Sequence, residues 1–327
     1  MASQMTETPG SYTTKDMKLD LLPGKYVVAV SGGVDSVVLL HLLAQIENEE
    51  RRMTNDEKKN SAFLIHHSPF TLVVAHFDHG IRADSAKDRL FVEKLVTEYS
   101  LEFAYDEGKL GVNASEAEAR EARYKFLRSV MSRTNSKAII TAHHQDDVIE
   151  TAIINLLRGT KAKGLSSLKS TTEIIRPLLS LTKAQIIKYA NDQGLTWRED
   201  PSNQDPKYLR NYVRLNLIPK MTLDQRQQLL EIIKTSADSS REISRLMELL
   251  LPEKSQTNRD QFINLPHAVA KELVASWLRK QELNIDQKTV ERLVVALKSA
   301  KNGARLDINK NFQFIVKNGI IEIQPGK

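Results

Sequence analysis

The stretch that most constrains this chain runs Lys25-Tyr-Val-Val-Ala-Val-Ser-Gly-Gly-Val-Asp-Ser36 and continues as Val37-Val-Leu-Leu-His-Leu-Leu43. Tyr26 to Val30 is a β-branched apolar run after Pro23-Gly24, which predicts a short strand buried on both faces. The second half has the apolar density of a helix packed on a sheet. Between them, Ser31-Gly32-Gly33 lets backbone N–H groups turn inward with no Cβ in the way. The helix that follows points its positive end at the same place. The stretch predicts a phosphate cradle at a strand–loop–helix junction, with a plain tight turn as the alternative.

Two other phosphate loops are excluded. A Walker A loop needs Gly-Lys-Ser or Gly-Lys-Thr, and neither occurs; the dinucleotide pattern G-x-G-x-x-G is also absent. Zero cysteine excludes disulfides, thiolate metal sites, iron–sulfur clusters and cysteine nucleophiles. A length of 327 residues with 41% hydrophobic content suggests two domains with ample cores. No apolar run approaches the roughly 20 residues of a membrane span. Met1 to Lys18 is polar and lacks a secretory h-region, so a disordered tail (1–20) and a cytoplasmic protein are expected. A net charge of +6 and pI ≈ 9.2 favour a polyanionic partner mildly.

Beyond the first helix, residues 47–60 form a charged block, read as a helix extension or solvated loop. His66-His67 near its end carries no role. Thr71 to Ala75 predicts a second strand that runs into His76-Phe-Asp-His-Gly-Ile-Arg82. In an open α/β sheet the carboxyl ends of strands hold the ligand, so His76, Asp78 and His79 are candidates for shaping a nucleotide pocket, with a metal site and a purely structural role as the alternatives. Ser85 to Tyr99 predicts a helix with a buried stripe of Leu90, Phe91, Leu95 and Val96. Leu101 to Tyr105 is a third strand, and Asn113 with Glu116 suggests a capping box opening the next helix. On that helix Arg120, Arg123 and Tyr124 share a neighbourhood. From the residues alone, a salt-bridged surface helix with Glu116, Glu118 and Glu121 is preferred.

Lys137 to Ala142 is a fourth strand, and His143-His-Gln-Asp-Asp147 follows it at the start of a helix. These carboxylates could cap the helix, but two His and two Asp together better suit Mg²⁺ over a phosphate. Residues 151–172 hold Arg158, Lys161, Lys163 and Lys169 without an acid, which reads as a flexible basic loop. Ile174 to Leu179 is a strand exit, Lys183 to Gln193 a helix ending at Gly194. Arg210 and Arg214 stand one turn apart on the next. A long amphipathic helix then covers Thr222 to Leu251. Helices over 266–281 and 287–301 follow, then strands near 305–308, 312–316 and 320–323, with a hairpin turn at Asn318-Gly319. Trp277 is assigned to the core.

Taken together, these motifs resemble the tRNA(Ile)-lysidine synthetase family within the PP-loop ATP pyrophosphatases. The resemblance rests on Ser31-Gly-Gly-Val-Asp-Ser36, His76 to Arg82, Glu118-Ala-Arg-Glu-Ala-Arg-Tyr124 and Thr141 to Asp147. It continues through Arg158-Gly-Thr, Arg176-Pro-Leu-Leu179, Asp200 to Asn203 and Tyr208-Leu-Arg-Asn211. It implies a Rossmann-like parallel-sheet α/β domain over 21–220. A smaller, mainly helical tRNA-binding domain with a C-terminal β-hairpin would follow over 221–327, as in the shorter family members.

The resemblance also implies chemistry. ATP would adenylate C2 of the wobble cytidine of a CAU-anticodon isoleucine tRNA, and free L-lysine would displace AMP. Ser31, Gly32, Gly33, Val34, Asp35, Ser36 and His143 would bind the nucleotide, with Asp35 and Asp147 holding Mg²⁺. Asp35, Asp147 and Arg120 are carried over as catalytic. Arg120 and Arg123 would bind the adenylate or the lysine carboxylate. Arg158, Lys161, Arg210 and Arg214 are candidate tRNA contacts. Asp147 or Asp146 is named as base for the lysine amine. The oligomeric state stays open, a homodimer included. A thiolase of the same group is disfavoured by the absence of cysteine. The remaining alternatives are another PP-loop tRNA adenylase and an inactive tRNA-binding protein.

Overall fold

The computed structural model describes residues 21–52, 70–80, 85–108, 110–111, 114–159, 164–165, 168–199, 208–250, 256–283 and 285–326. The readings made for the N-terminal tail, residues 53–60, His66-His67, Arg82, Asn113, Lys161, Lys163 and Asp200 to Asn203 lie outside these residues. Contacts divide the chain into two compact units between Lys234 and Thr235.

In the first unit, strands β1 (Gly24–Ala29), β2 (Phe70–Asp78), β3 (Glu102–Glu107), β4 (Ala138–Ile140) and β5 (Ile174–Ile175) form one sheet. The order is β3-β2-β1-β4-β5, and every pairing is parallel. In register, Val27 stands beside Val73 on one side and Ile139 on the other. Helices cover both faces: α1 (Val34–Arg52), α2 (Ser85–Glu98), α3 (Glu116–Arg133), α4 (Gln145–Leu157) and α5 (Lys183–Asp192).

Alternation along the strands explains the two layers. Tyr26, Val28, Val74 and Ile140 point into one core with Val38, Leu42 and Leu43 of α1, Val92 of α2 and Ile186 of α5. Val27, Val73 and Ile139 point the other way, onto Tyr124, Leu127 and Val130 of α3. The first strand is therefore buried on both faces, as its unbroken apolar run predicts.

Two local expectations need correction. Leu90 is 56% exposed; Val92 takes its place in the buried stripe of α2 with Leu95 and Val96. The capping box that opens α3 is Ser115 with Glu118: the Ser115 Oγ accepts from Glu118 N–H, and the Glu118 carboxylate accepts from Ser115 N–H. Ser115, two positions beyond Asn113, holds the extended cap conformation that puts a hydroxyl over the first turn.

Beyond α5 come the four-residue helix α6 (Leu209–Tyr212), which runs on as a π-turn over Val213–Leu217, and the long helix α7 (Leu223–Leu250). In the second unit, β6 (Gln256–Asn258), β7 (Arg305–Asp307), β8 (Phe312–Lys317) and β9 (Ile320–Pro325) form an antiparallel sheet in the order β6-β9-β8-β7. Helices α8 (Arg259–Asn264), α9 (His267–Lys280) and α10 (Gln287–Ser299) accompany it. Trp277 is fully buried, its ring 6.3 Å from Phe262 and 6.1 Å from Phe314. Asn318 and Gly319 both take positive φ (50° and 72°), the conformation a two-residue hairpin needs. That hairpin is part of a larger sheet, because β6, with no apolar pattern of its own, pairs along β9.

Candidate active site

The strand order reverses between β1 and β4, which opens a crevice at their carboxyl ends. Ser31 to Ser36 leaves β1 there and His143 to Asp147 leaves β4, so the two polar clusters meet. A cleft of about 590 Å³ lies at this point. Ser31, Gly33, Asp35, Ser36 and His143 line it, and so do Arg123, Arg210 and Arg214. His76, Asp78 and His79 also face it. Gly32, Val34, Asp147, Arg120 and Arg158 are not among its lining residues.

The loop closes on its own serine. The Ser36 Oγ accepts from the N–H groups of Ser31 and Gly32, each at 3.2 Å, and donates to the Gly33 carbonyl at 2.8 Å. Gly32 sits at φ +91°, where a side chain would be strained. Its carbonyl accepts from Arg198 N–H at 2.9 Å.

Two acids from different segments converge on one imidazole. Asp35 Oδ1 lies 3.7 Å and Asp147 Oδ2 3.5 Å from the same atom, His144 Nε2. Asp35 is also held by Lys183, whose Nζ is 2.7 Å from each carboxylate oxygen. Asp147 reaches back to His144 N–H at 2.9 Å, so it does cap α4 as well as facing this cluster. Burial pushes Asp147 upward, but His144, His143 and Arg214 outweigh it and hold the carboxyl below its usual range. Asp146 turns elsewhere, toward Arg226 at 3.6 Å and the Lys183 N–H at 3.3 Å.

The donor set suits a hard cation. Mg²⁺ favours one or two carboxylates and completes its shell with water and phosphate oxygens. Asp35 and Asp147 offer that pair, and among the described residues no group of three or more ligands forms a closed cage.

Arg210 and Arg214 do not stand on an open face. Arg214 grips Glu150 at two points, Nε to Oε1 at 2.6 Å and Nη2 to Oε2 at 3.0 Å. Arg210 pairs with Glu116 at 3.0 Å and approaches Glu150 at 3.9 Å. Glu150 is 0% exposed, and burial raises its pKa against the pull of Arg214. Sequence reasoning missed this acid. Its legible signal was a lone carboxylate among Ile149, Ala152 and Ile154, all buried on the same helix.

The salt-bridged surface reading of α3 gives way too. Arg120 and Arg123 lie over the Tyr124 ring, 5.0 and 5.5 Å from its centre, while Glu116 goes to Arg210 and Glu118 to Ser115. Arg120 is exposed; burial lowers the pKa of Arg123. His143 bonds Thr141 through Nδ1 at 2.9 Å, and burial drives it well below the ordinary imidazole range, so it is neutral at pH 7. His76 is 3% exposed, anchored by Nδ1 to the Val30 carbonyl at 2.8 Å.

A family model described as a PP-loop domain matches residues 11–221. The chain belongs to the PP-loop family. That membership implies ATP as the nucleotide.

Relatives named tRNA(Ile)-lysidine synthase accompany the match. One from Actinobacillus pleuropneumoniae serotype 3 is 32% identical over 273 residues, covering 78% of this chain and 58% of that protein. One from Solibacter usitatus is 31% identical over 314 residues, 89% of this chain and 66% of that one. One from Wolbachia pipientis wMel is 40% identical over 195 residues, 57% and 41% of the two. The chain thus spans between 41% and 66% of the length of these relatives. Among solved structures, the U34-tRNA thiolase NcsA from Methanococcus maripaludis matches at 20% identity and a TM-score of 0.49, over 73% of this chain and 76% of that one. No helix of the described residues is long and apolar enough to cross a membrane.

Proposed function

We propose that this PP-loop protein is a tRNA(Ile)-lysidine synthase. ATP adenylates the C2 oxygen of the wobble cytidine in a CAU-anticodon isoleucine tRNA, and the amine of free L-lysine then displaces AMP. The observation that carries this reading is the shared name of relatives aligned over as much as 89% of the chain. The cleft supports it chemically.

An amide-like oxygen leaves poorly until it becomes part of AMP. The N–H groups of Ser31 and Gly32 and the start of α1 suit the departing pyrophosphate. Asp35 and Asp147 would hold Mg²⁺, which supplies charge neutralisation for that pyrophosphate when bound. Arg123 on the cleft wall can take a carboxylate or phosphate, with Arg120 behind it over the same tyrosine ring.

A lysine amine has an unperturbed pKa of about 10.4 and must lose a proton to attack. The guanidinium group of Arg123 on the wall disfavours an entering ammonium and helps it shed that proton. The proton acceptor is proposed to be Asp146 or Asp147, the first held by Arg226 and the second by His144. Arg158 and Lys161 are proposed phosphate contacts for the tRNA, and the second unit a tRNA-binding one. A soluble, cytoplasmic protein, as monomer or homodimer, fits this role.

The test is covalent transfer. Incubation with ATP, Mg²⁺, labelled lysine and an unmodified CAU-anticodon isoleucine transcript should place label in the RNA, with AMP and pyrophosphate formed. The label should survive mild alkali, because a C–N bond to the base does and an acyl ester does not. A wobble uridine should abolish it. Nucleotide cleavage without lysine in the RNA would point to a different PP-loop adenylase, and no cleavage at all to a binding protein.

A further inference from the structure

Helix α6 differs from an ordinary surface helix. Its charged members are paired with carboxylates, Arg210 with Glu116 and Arg214, just beyond, with the buried Glu150. The aromatic ones face solvent: Tyr208, the residue that caps its start, is 55% exposed and Tyr212 47%. The two tyrosines are four positions apart, one helical turn, and so share a face. Leu209 and Leu215 in the same segment are exposed, as are Leu156 and Leu157 at the end of α4, on which α6 packs. Charges held in ion pairs beside exposed rings and leucines mark a surface that something else covers.

Two observations say what covers it. Tyr208 is also part of the cleft wall, so the covering group has one end at the mouth of the cleft. The cation that borders the leucines, Arg158, is exposed as well. Exposed tyrosines and an exposed arginine on packed helices match single-stranded RNA, whose unstacked bases lie on tyrosine and whose phosphates meet arginine. A protein partner would be served by the leucines, but has no need of a tyrosine that also lines the cleft, with a second one turn further along the same helix. A base that reacts inside an enclosed cleft leaves its stack, and its neighbours then lack partners.

We infer that Tyr208, on the cleft wall, and Tyr212, one turn beyond it, form a stacking platform leading away from the cleft for the unpaired nucleotides that flank the reacting base of an RNA loop. The identity of the loop rests on the lysidine synthase reading; the platform itself needs only an RNA substrate.

The test uses the full chain and a fluorescent anticodon stem-loop RNA, with 2-aminopurine in place of a loop base next to the CAU wobble position. Tyr208→Ala and Tyr212→Ala should each weaken binding about tenfold, equivalent to about 1.4 kcal/mol. Tyr→Phe at either position should stay within about twofold, because the ring is kept. The salt slope of binding should not change, since no phosphate contact is lost. Wild-type protein should quench the 2-aminopurine, and both alanine variants should quench it less. Unaltered melting temperatures check that the exposed substitutions leave the fold intact. Wild-type affinity and quenching in the alanine variants would overturn the proposal. So would a variant that keeps its RNA affinity but turns a dimer into a monomer in sedimentation, which would make the patch a self-association face. RNA binding and quenching by a wild-type protein that transfers no lysine would remove the lysidine reading and leave the platform to be judged by the same variants.

Discussion

Lys183 Nζ lies 2.7 Å from each carboxylate oxygen of Asp35, joining residues 148 positions apart. The loop carboxylate proposed as a metal ligand already has a cation, which a divalent ion would have to displace. Lys183→Met should therefore raise Mn²⁺ affinity in the absence of nucleotide. The pair is partly exposed, so it is worth about 1 kcal/mol at most, which sets the gain at roughly fivefold. Titration of Mn²⁺ by electron paramagnetic resonance reads this directly. Unchanged affinity would mean that Asp35 is not a ligand.

Asp35→Asn should keep the fold and nearly abolish pyrophosphate release. An amide ligates Mg²⁺ weakly and brings no charge. Turnover above about a tenth of wild type, a loss under about 1.4 kcal/mol, would refute the assignment.

Arg214→Ala should destabilise the protein by about 3 kcal/mol, because it strips the two-point partner from a fully buried Glu150. Glu150→Gln in the same chain should recover a good part of that loss. A double-mutant cycle by urea unfolding measures the coupling. If the two losses simply add, the pair is not a unit.

His143 supplies an acid-sensitive element. Burial lowers its folded-state pKa well below 6.5, so between those values the unfolded chain binds the extra proton. Stability must then fall as pH drops below about 6.5, by up to about 2 kcal/mol at pH 5 from this group. His41 and His76, also lowered by burial, act in the same direction. His143→Asn should narrow the difference between urea midpoints at pH 7 and pH 5. An equal difference in both proteins would mean that His143 protonates freely in the fold.

The parts of this molecule that could be read in its sequence are those encoded locally. Val27 and Val28 alternate into two cores, Gly32 permits the loop, and Asn318-Gly319 makes its hairpin, each within a few residues. The two polar clusters could be placed together because strand ends in such sheets share a crevice. Pairings across long separations left no local trace. Nothing near Lys183 announces Asp35, and nothing near Arg128 announces Glu173, which it meets across 45 positions. The pairing of Arg210 and Arg214 with Glu116 and Glu150 was likewise invisible, because a single turn of helix carries too few residues to show which face is buried. Leu90 failed for a related reason: its α2 stripe could be drawn through either of two neighbouring positions, and only the sheet beneath selects Val92.

The hydroxyl of Ser36 has one more consequence. Because it already satisfies the N–H groups of Ser31 and Gly32, a newcomer can only exchange one hydrogen bond for another. A neutral acceptor would gain almost nothing by displacing it. An oxyanion gains, since bonds to an ionised acceptor are roughly twice as strong, and the dipole of α1 adds to the difference. On the proposed role of the loop, this arrangement would act as a charge filter at its own threshold, favouring phosphate over alcohols and amides.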